Sequence, residues 1–210
     1  LARPEEKLGR EAIVSRFNER VKPVVVDLES GEVVADPGFD VATYNAEKAA
    51  DDPELGRPAP ENASSIQRMP KRTVVYQVLG PQGGVEMVVL PIKGYGLWST
   101  LYGFLAVDRD GTTVRGITYY QHGETPGLGG EVENPRWKAL WDGRRIYGSG
   151  GTPELQVIKG QAGPPSSDPH RVDGLSGATI TSRGVTNMIR FWTGEHGFQP
   201  FLDRLRKQAS

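Results

Sequence analysis

The hydrophobic period of the chain changes twice, from helical to alternating near residue 72 and back to helical near residue 183. From Pro4 to Val21, Leu8, Ala12, Phe17 and Val21 fall at helical spacing among charges, with a proline suited to a first turn, which predicts a helix. Val24–Leu28 is a short β-branched run closed by Ser30-Gly31. The polar, proline-rich stretch from there to Met69 is expected to form a loose lobe or docking surface holding one short helix, Ala46–Ala50. Beyond Arg72, Thr73–Leu79 and Val85–Leu90 flank a glycine-rich turn, and Trp98–Val107 and Thr112–Tyr120 flank Asp108-Arg109-Asp110-Gly111. Two consecutive hairpins imply an antiparallel sheet.

Asn134–Trp141 predicts a short helix with Trp137, Leu140 and Trp141 on one face, and Leu155–Lys159 a further strand. Val185, Met188, Ile189 and Trp192 then recur at i, i+3, i+4 and i+7 in a helix starting at Arg183 and stopped at Gly194; Phe201–Lys207 is a last amphipathic helix. Strands first and helices late make the fold α+β, a twisted antiparallel sheet with flanking helices. Residues 1–70 are expected to form a helix and loop-rich lobe packed on a main domain of residues 71–210.

The candidate chemistry sits at the last change of period. Asp173-Gly174-Leu175-Ser176-Gly177-Ala178-Thr179-Ile180-Thr181-Ser182 combines short hydroxyl and carboxylate side chains with two glycines and runs into a helix N-terminus. Free backbone N–H groups there are suited to a phosphate. The helix dipole contributes only ~0.3–1 kcal/mol at an exposed site, so retention of a ligand needs a pocket or a covalent bond. The plainer alternative is an ordinary N-cap made by Thr181 or Ser182. A second stretch, His122-Gly123-Glu124-Thr125-Pro126-Gly127-Leu128-Gly129-Gly130, describes a rigid loop after a strand that a flat ligand can approach closely, with Glu124 and Thr125 bonding its edge. A third, Lys93-Gly94-Tyr95-Gly96-Leu97-Trp98-Ser99, sets aromatic rings beside glycines; the plainer readings are a tight turn for the second stretch and the aromatic core of a half-buried sheet for the third.

Composition removes several other readings. With 25 basic and 26 acidic residues and a net charge of -1, no surplus of positive charge favours nucleic acid. The absence of cysteine excludes disulfides, thiolate metal sites and cysteine-held iron–sulfur clusters in this chain. His122, His170 and His196 lack ligand spacing, so no metal site is expected. No apolar run is long enough to span a membrane. Gly174-Leu175-Ser176-Gly177-Ala178 nearly matches a nucleophile elbow, which keeps open a serine hydrolase using Ser176 with His170 or His122 as base.

Taken together, Ser176-Gly177-Ala178-Thr179 preceded by Asp173, Glu124-Thr125-Pro126-Gly127-Leu128-Gly129, and Gly94-Tyr95-Gly96-Leu97-Trp98-Ser99 closely resemble the FMN-binding domain of the NqrC family, a component of the sodium-translocating NADH:quinone reductase. The resemblance extends from about Phe17 to Arg206. The G subunit of the Rnf complex shares the flavin motifs but fits the flanking segments less well. The resemblance implies FMN joined through its phosphate to Thr179 by a separate magnesium-dependent flavin transferase acting on FAD. The hydroxyls of Ser176 and Thr181 would solvate the linked phosphate, Gly177 and Ala178 would leave room for the transferase, and Asp173 would orient the chain or help activate the hydroxyl. Glu124, Thr125, Gly127, Leu128, Gly129 and Trp98 would contact the rest of the cofactor. It further implies a one-electron carrier with no substrate turnover of its own, partnered by the other subunits of the complex. Its place would be the periplasmic face of a bacterial inner membrane, with the family's N-terminal membrane helix missing from this chain.

Overall fold

Alternating burial along each strand builds the central sheet in a computed structural model that describes residues 19–35 and 39–209. In chain order come β1 (Val21–Asp27), β2 (Val33–Val34), helix α1 (Ala46–Asp51), and a ribbon of β3 (Gly56–Pro58) and β4 (Arg68–Pro70). Four longer strands follow: β5 (Arg72–Leu79), β6 (Val85–Tyr95), β7 (Thr100–Asp108) and β8 (Val114–Gln121). A 3-10 turn at Gly129–Glu133 leads into α2 (Pro135–Ala139), capped by the Asn134 side chain, which accepts from the Arg136 N–H. Two short strands, β9 (Gln156–Val157) and β10 (Arg171–Val172), pair in parallel before the closing helices α3 (Thr179–Trp192) and α4 (Gln199–Ala209).

The main sheet is antiparallel throughout, in the order β2-β1-β5-β6-β7-β8. Period-2 alternation turns Val88, Leu90 and Ile92 of β6 and Leu101, Leu105 and Val107 of β7 into the core, where they meet Met188 and Ile189 of α3. Helix α3 lies close on β6: Trp192 Nε1 donates to the Lys93 carbonyl at 2.7 Å, and a Cβ at Gly184 would stand 2.4 Å from the Tyr95 carbonyl oxygen. That contact carries the first half of α3 to the turn between β6 and β7. Buried Arg144 donates to the carbonyls of Leu140, Gly163 and Asp168, fixing the proline-rich segment that leads to β10.

Several expectations are corrected. Of the helix predicted over Pro4–Val21, residues 4–18 lie outside the described residues, Glu19 and Arg20 are helical, and Val21 opens β1, paired with Val78 of β5. Because β1 pairs with β5 along its whole length, residues 21–34 belong to the same sheet as residues 72–121, and the boundary expected near residue 70 falls inside it. Strand β6 runs past the predicted Leu90 to Tyr95, with Pro91 opposite Phe104 in a central strand, a place where proline ordinarily signals a break. Trp98 therefore lies in the β6–β7 turn instead of opening β7. Helix α3 begins at Thr179 and not at Arg183; its N-cap is Ala178, so neither Thr181 nor Ser182 is the capping residue.

Candidate functional site

The three motif stretches converge at the N-terminus of α3. Ala178, as N-cap, offers no side-chain hydrogen bond to the first turn, so the helix presents N–H groups without a side-chain partner. Among the hydroxyls of residues 173–182, three fates are distinguished. Thr181 is fully buried, and its Oγ1 donates to Glu124 Oε2 at 2.6 Å. Ser182 is buried, and its Oγ accepts from the Leu175 N–H at 3.1 Å. Ser176 and Thr179 are exposed, and within the described residues neither hydroxyl has a hydrogen-bond partner in the protein.

Beneath this turn sits the Glu124 carboxylate, only 5% exposed. Oε1 accepts from the Leu97, Trp98 and Ser99 N–H groups at 3.1, 2.9 and 3.2 Å, and Oε2 from Thr181 and, at 3.2 Å, Leu97. Burial opposes ionisation here, but the Thr181 hydroxyl and the three N–H groups outweigh it and hold the carboxyl below the ordinary glutamate range. One carboxylate thus joins the β6–β7 turn, the loop after β8 and helix α3. Two glycines make room for it: a Cβ at Gly96 would lie 2.6 Å from Oε1, and one at Gly129 2.7 Å from Oε2 and 2.6 Å from Thr181 Oγ1. The loop is closed by the Leu128 and Gly130 N–H groups donating to the Thr125 carbonyl, and by the Gly123 N–H donating to Ser99 Oγ at 2.6 Å.

Two unlike surfaces belong to these motif runs. Large apolar side chains stand exposed on them: Trp98 at 65%, Ile180 at 54%, Tyr95 at 46% and Leu128 at 43%. Leu128 overhangs the acceptor stretch, since a Cβ at Gly177, whose φ is +69°, would come within 2.9 Å of its Cδ2. A cavity of about 720 Å³ bordered by Thr179, Ser176 and Gly177 runs along α3. Arg183 and Arg190, one and three turns further along the helix, share its wall with Lys159 and a single carboxylate, Asp173. Asp173 is itself engaged, its Oδ1 accepting from the Ala162 N–H and its carbonyl from Trp137 Nε1, each at 2.9 Å.

The placements of the expected residues now separate. Ser176, Gly177, Ala178, Thr179 and Asp173 lie together at the helix start, with Leu128 above them. Trp98 is tied into the same knot through its backbone. Thr125 and Gly127 occupy the exposed tip of the loop. Glu124 and Thr181 are brought together with them but face inward, Thr181 spending its hydroxyl on Glu124 and Glu124 its oxygens on Thr181 and on backbone N–H groups. Lys159, Arg183 and Arg190 are additions from outside the motif runs, while Ile180 and Tyr95 lie within them and are shown exposed only by the fold; the helical i, i+4 spacing of Thr179 and Arg183 is the local signal that points to Arg183.

The arrangement fits FMN on its own terms. An open helix N-terminus and a cationic cavity wall suit a phosphate, and exposed aromatic and aliphatic side chains beside them suit a flat ring. It fits a hydrolase less well: His122 Nδ1 accepts from the Glu124 N–H, His170 Nδ1 faces the Arg145 carbonyl, and no histidine lines the cavity that Ser176 borders. Among the described residues no cluster of His, Asp or Glu is placed to hold a metal ion.

Fold and site together define an FMN-binding domain, and the family model described as "FMN-binding domain" matches residues 96–194. Over 208 residues the chain is 47% identical to the NqrC component of the Na(+)-translocating NADH-quinone reductase of Yersinia pestis, covering 98% of this chain and 76% of that protein. The corresponding component from Pseudomonas aeruginosa is 48% identical over 206 residues, covering 97% and 78%. The crystal structure of Shewanella oneidensis NqrC superposes with a TM-score of 0.87 at 36% identity, covering 97% of this chain and 90% of that one. The chain belongs to the NqrC family of Na(+)-translocating NADH-quinone reductase components.

Proposed function

We propose that this chain carries FMN covalently through a phosphodiester to Thr179 and serves as a one-electron carrier within a sodium-translocating NADH:quinone reductase. One observation carries the choice of residue: the Thr179 hydroxyl is exposed and without an internal partner, whereas that of Thr181 is buried against Glu124. In the attachment step, Thr179 Oγ1 forms a bond to the flavin-side phosphorus of FAD as the pyrophosphate bond breaks. Adenylate leaves, and the hydroxyl proton passes to the flavin transferase that catalyses the step. The linkage keeps one negative charge, which the unpartnered N–H groups at the start of α3 and the Arg183 guanidinium stabilise. Ser176 and Asp173 border the same cavity, while Gly177 and Ala178 leave the acceptor accessible.

When bound, FMN supplies reversible one-electron transfer through its ring. Trp98, Leu128 and Ile180 provide apolar contact area beside the attachment point and keep water from that face. Among the described residues no helix is long and apolar enough to cross a membrane; a periplasmic position and contacts with the other subunits of the complex complete the proposal. Co-expression with a flavin transferase is expected to add the mass of FMN less one water, and Thr179→Ala to abolish the addition. An unchanged adduct in that variant contradicts the assignment.

A further inference from the structure

We propose that Glu124 is a positioning residue for flavin attachment, turning Thr179 outward by holding Thr181 inward and never touching the cofactor itself. This rests on the reading of Thr179 as the acceptor. Successive residues of a helix are rotated by about 100°, so side chains two apart point to nearly opposite sides. Anchoring Thr181 to Glu124 at 2.6 Å therefore fixes Thr179 toward solvent. Ala178 supplies no cap, so the side-chain anchors of this first turn are Thr181 on Glu124 and Ser182 on the Leu175 N–H. A turn held only by its own backbone frays.

The same carboxylate gathers three consecutive N–H groups, those of Leu97, Trp98 and Ser99. It thereby sets the turn from which Trp98 projects, so the acceptor and the apolar face beside it are fixed relative to each other by one group. Gly96 and Gly129 belong to the same device: any side chain at either would strike the carboxylate. At 5% exposure and with both oxygens engaged, Glu124 has no acceptor left for a ligand.

The test uses the purified full chain with a flavin transferase, FAD and magnesium, following covalent loading by intact mass and folding by circular dichroism. Glu124→Gln and Thr181→Val are expected to load on the order of 10–100-fold more slowly than the parent while still folded, the scale of misplacing a reacting group by about an ångström. Thr181→Ser keeps the hydroxyl and should load near the parent rate. Gly129→Ala should behave as Glu124→Gln. A general loss of stability would lower the melting temperature without slowing the folded protein. Loading of folded Thr181→Val at the parent rate, or Thr181→Ser as slow as Thr181→Val, overturns the role of Glu124 alone. If the parent acquires no FMN, or Thr179→Ala loads equally well, the acceptor assignment falls and this inference with it.

Discussion

Two layers at the start of α3 differ in what their polar atoms do. In the outer layer, Ser176 and Thr179 are exposed with no internal hydrogen bond, among exposed Trp98, Leu128 and Ile180. In the inner layer, directly beneath, Glu124, Thr181 and Ser182 are buried and every side-chain oxygen has a donor or acceptor. The contrast separates reactivity from support. Hydroxyls of the same chemical type, two residues apart, differ in burial: the buried one is consumed by structure, and the exposed one has no partner among the described residues.

Substitutions in the two layers should therefore separate stability from attachment. The largest loss of stability is expected for Glu124→Ala, about 2–4 kcal/mol in urea unfolding, because three N–H groups and one hydroxyl lose a charged acceptor in a buried site. Thr181→Val should cost about 1.5–3 kcal/mol, the range for a hydrogen bond to a charged group.

Acid should narrow the difference between the inner layer and its variants. The folded-state carboxyl of Glu124 titrates below its ordinary value, so its contribution is complete above the unfolded glutamate range and is lost as pH falls through the folded value. The gap in melting temperature between the parent and Glu124→Gln is expected to be constant above the ordinary glutamate range and to shrink as pH falls below it. A gap that widens on acidification would contradict the ionised hub. The smallest effects belong to the outer layer: Thr179→Ala and Ser176→Ala should each change stability by no more than about 0.5 kcal/mol, and Ser176→Ala should still accept FMN.

Much of this site is legible as sequence, in three motif runs. Their union is not. Glu124 and Thr181 are 57 residues apart, and a hydrogen bond across that separation leaves no local pattern, so Glu124 reads most simply as a ligand-facing acid at a strand end. Periodicity misplaces the start of α3 for a related reason. Its apolar stripe begins at Val185, and the buried face of its first turn is made by Thr181 and Ser182, polar residues that hydrophobic periodicity does not count. In β6, Pro91 and Gly94 conceal the stretch from Pro91 to Tyr95, which is held by pairing with β7. The cationic cavity wall joins Lys159 to Arg183 and Arg190 only through the fold. By contrast, the α+β class and the hairpins are readable because each rests on local alternation and turn chemistry.

Fragment mass spectrometry of the flavin-bearing peptide from protein co-expressed with a flavin transferase tests the central claim most directly. The account predicts FMN phosphate on Thr179, with Ser176, Thr181 and Ser182 unmodified. FMN found on Thr181 or Ser176, or flavin that leaves entirely on denaturation, would contradict it.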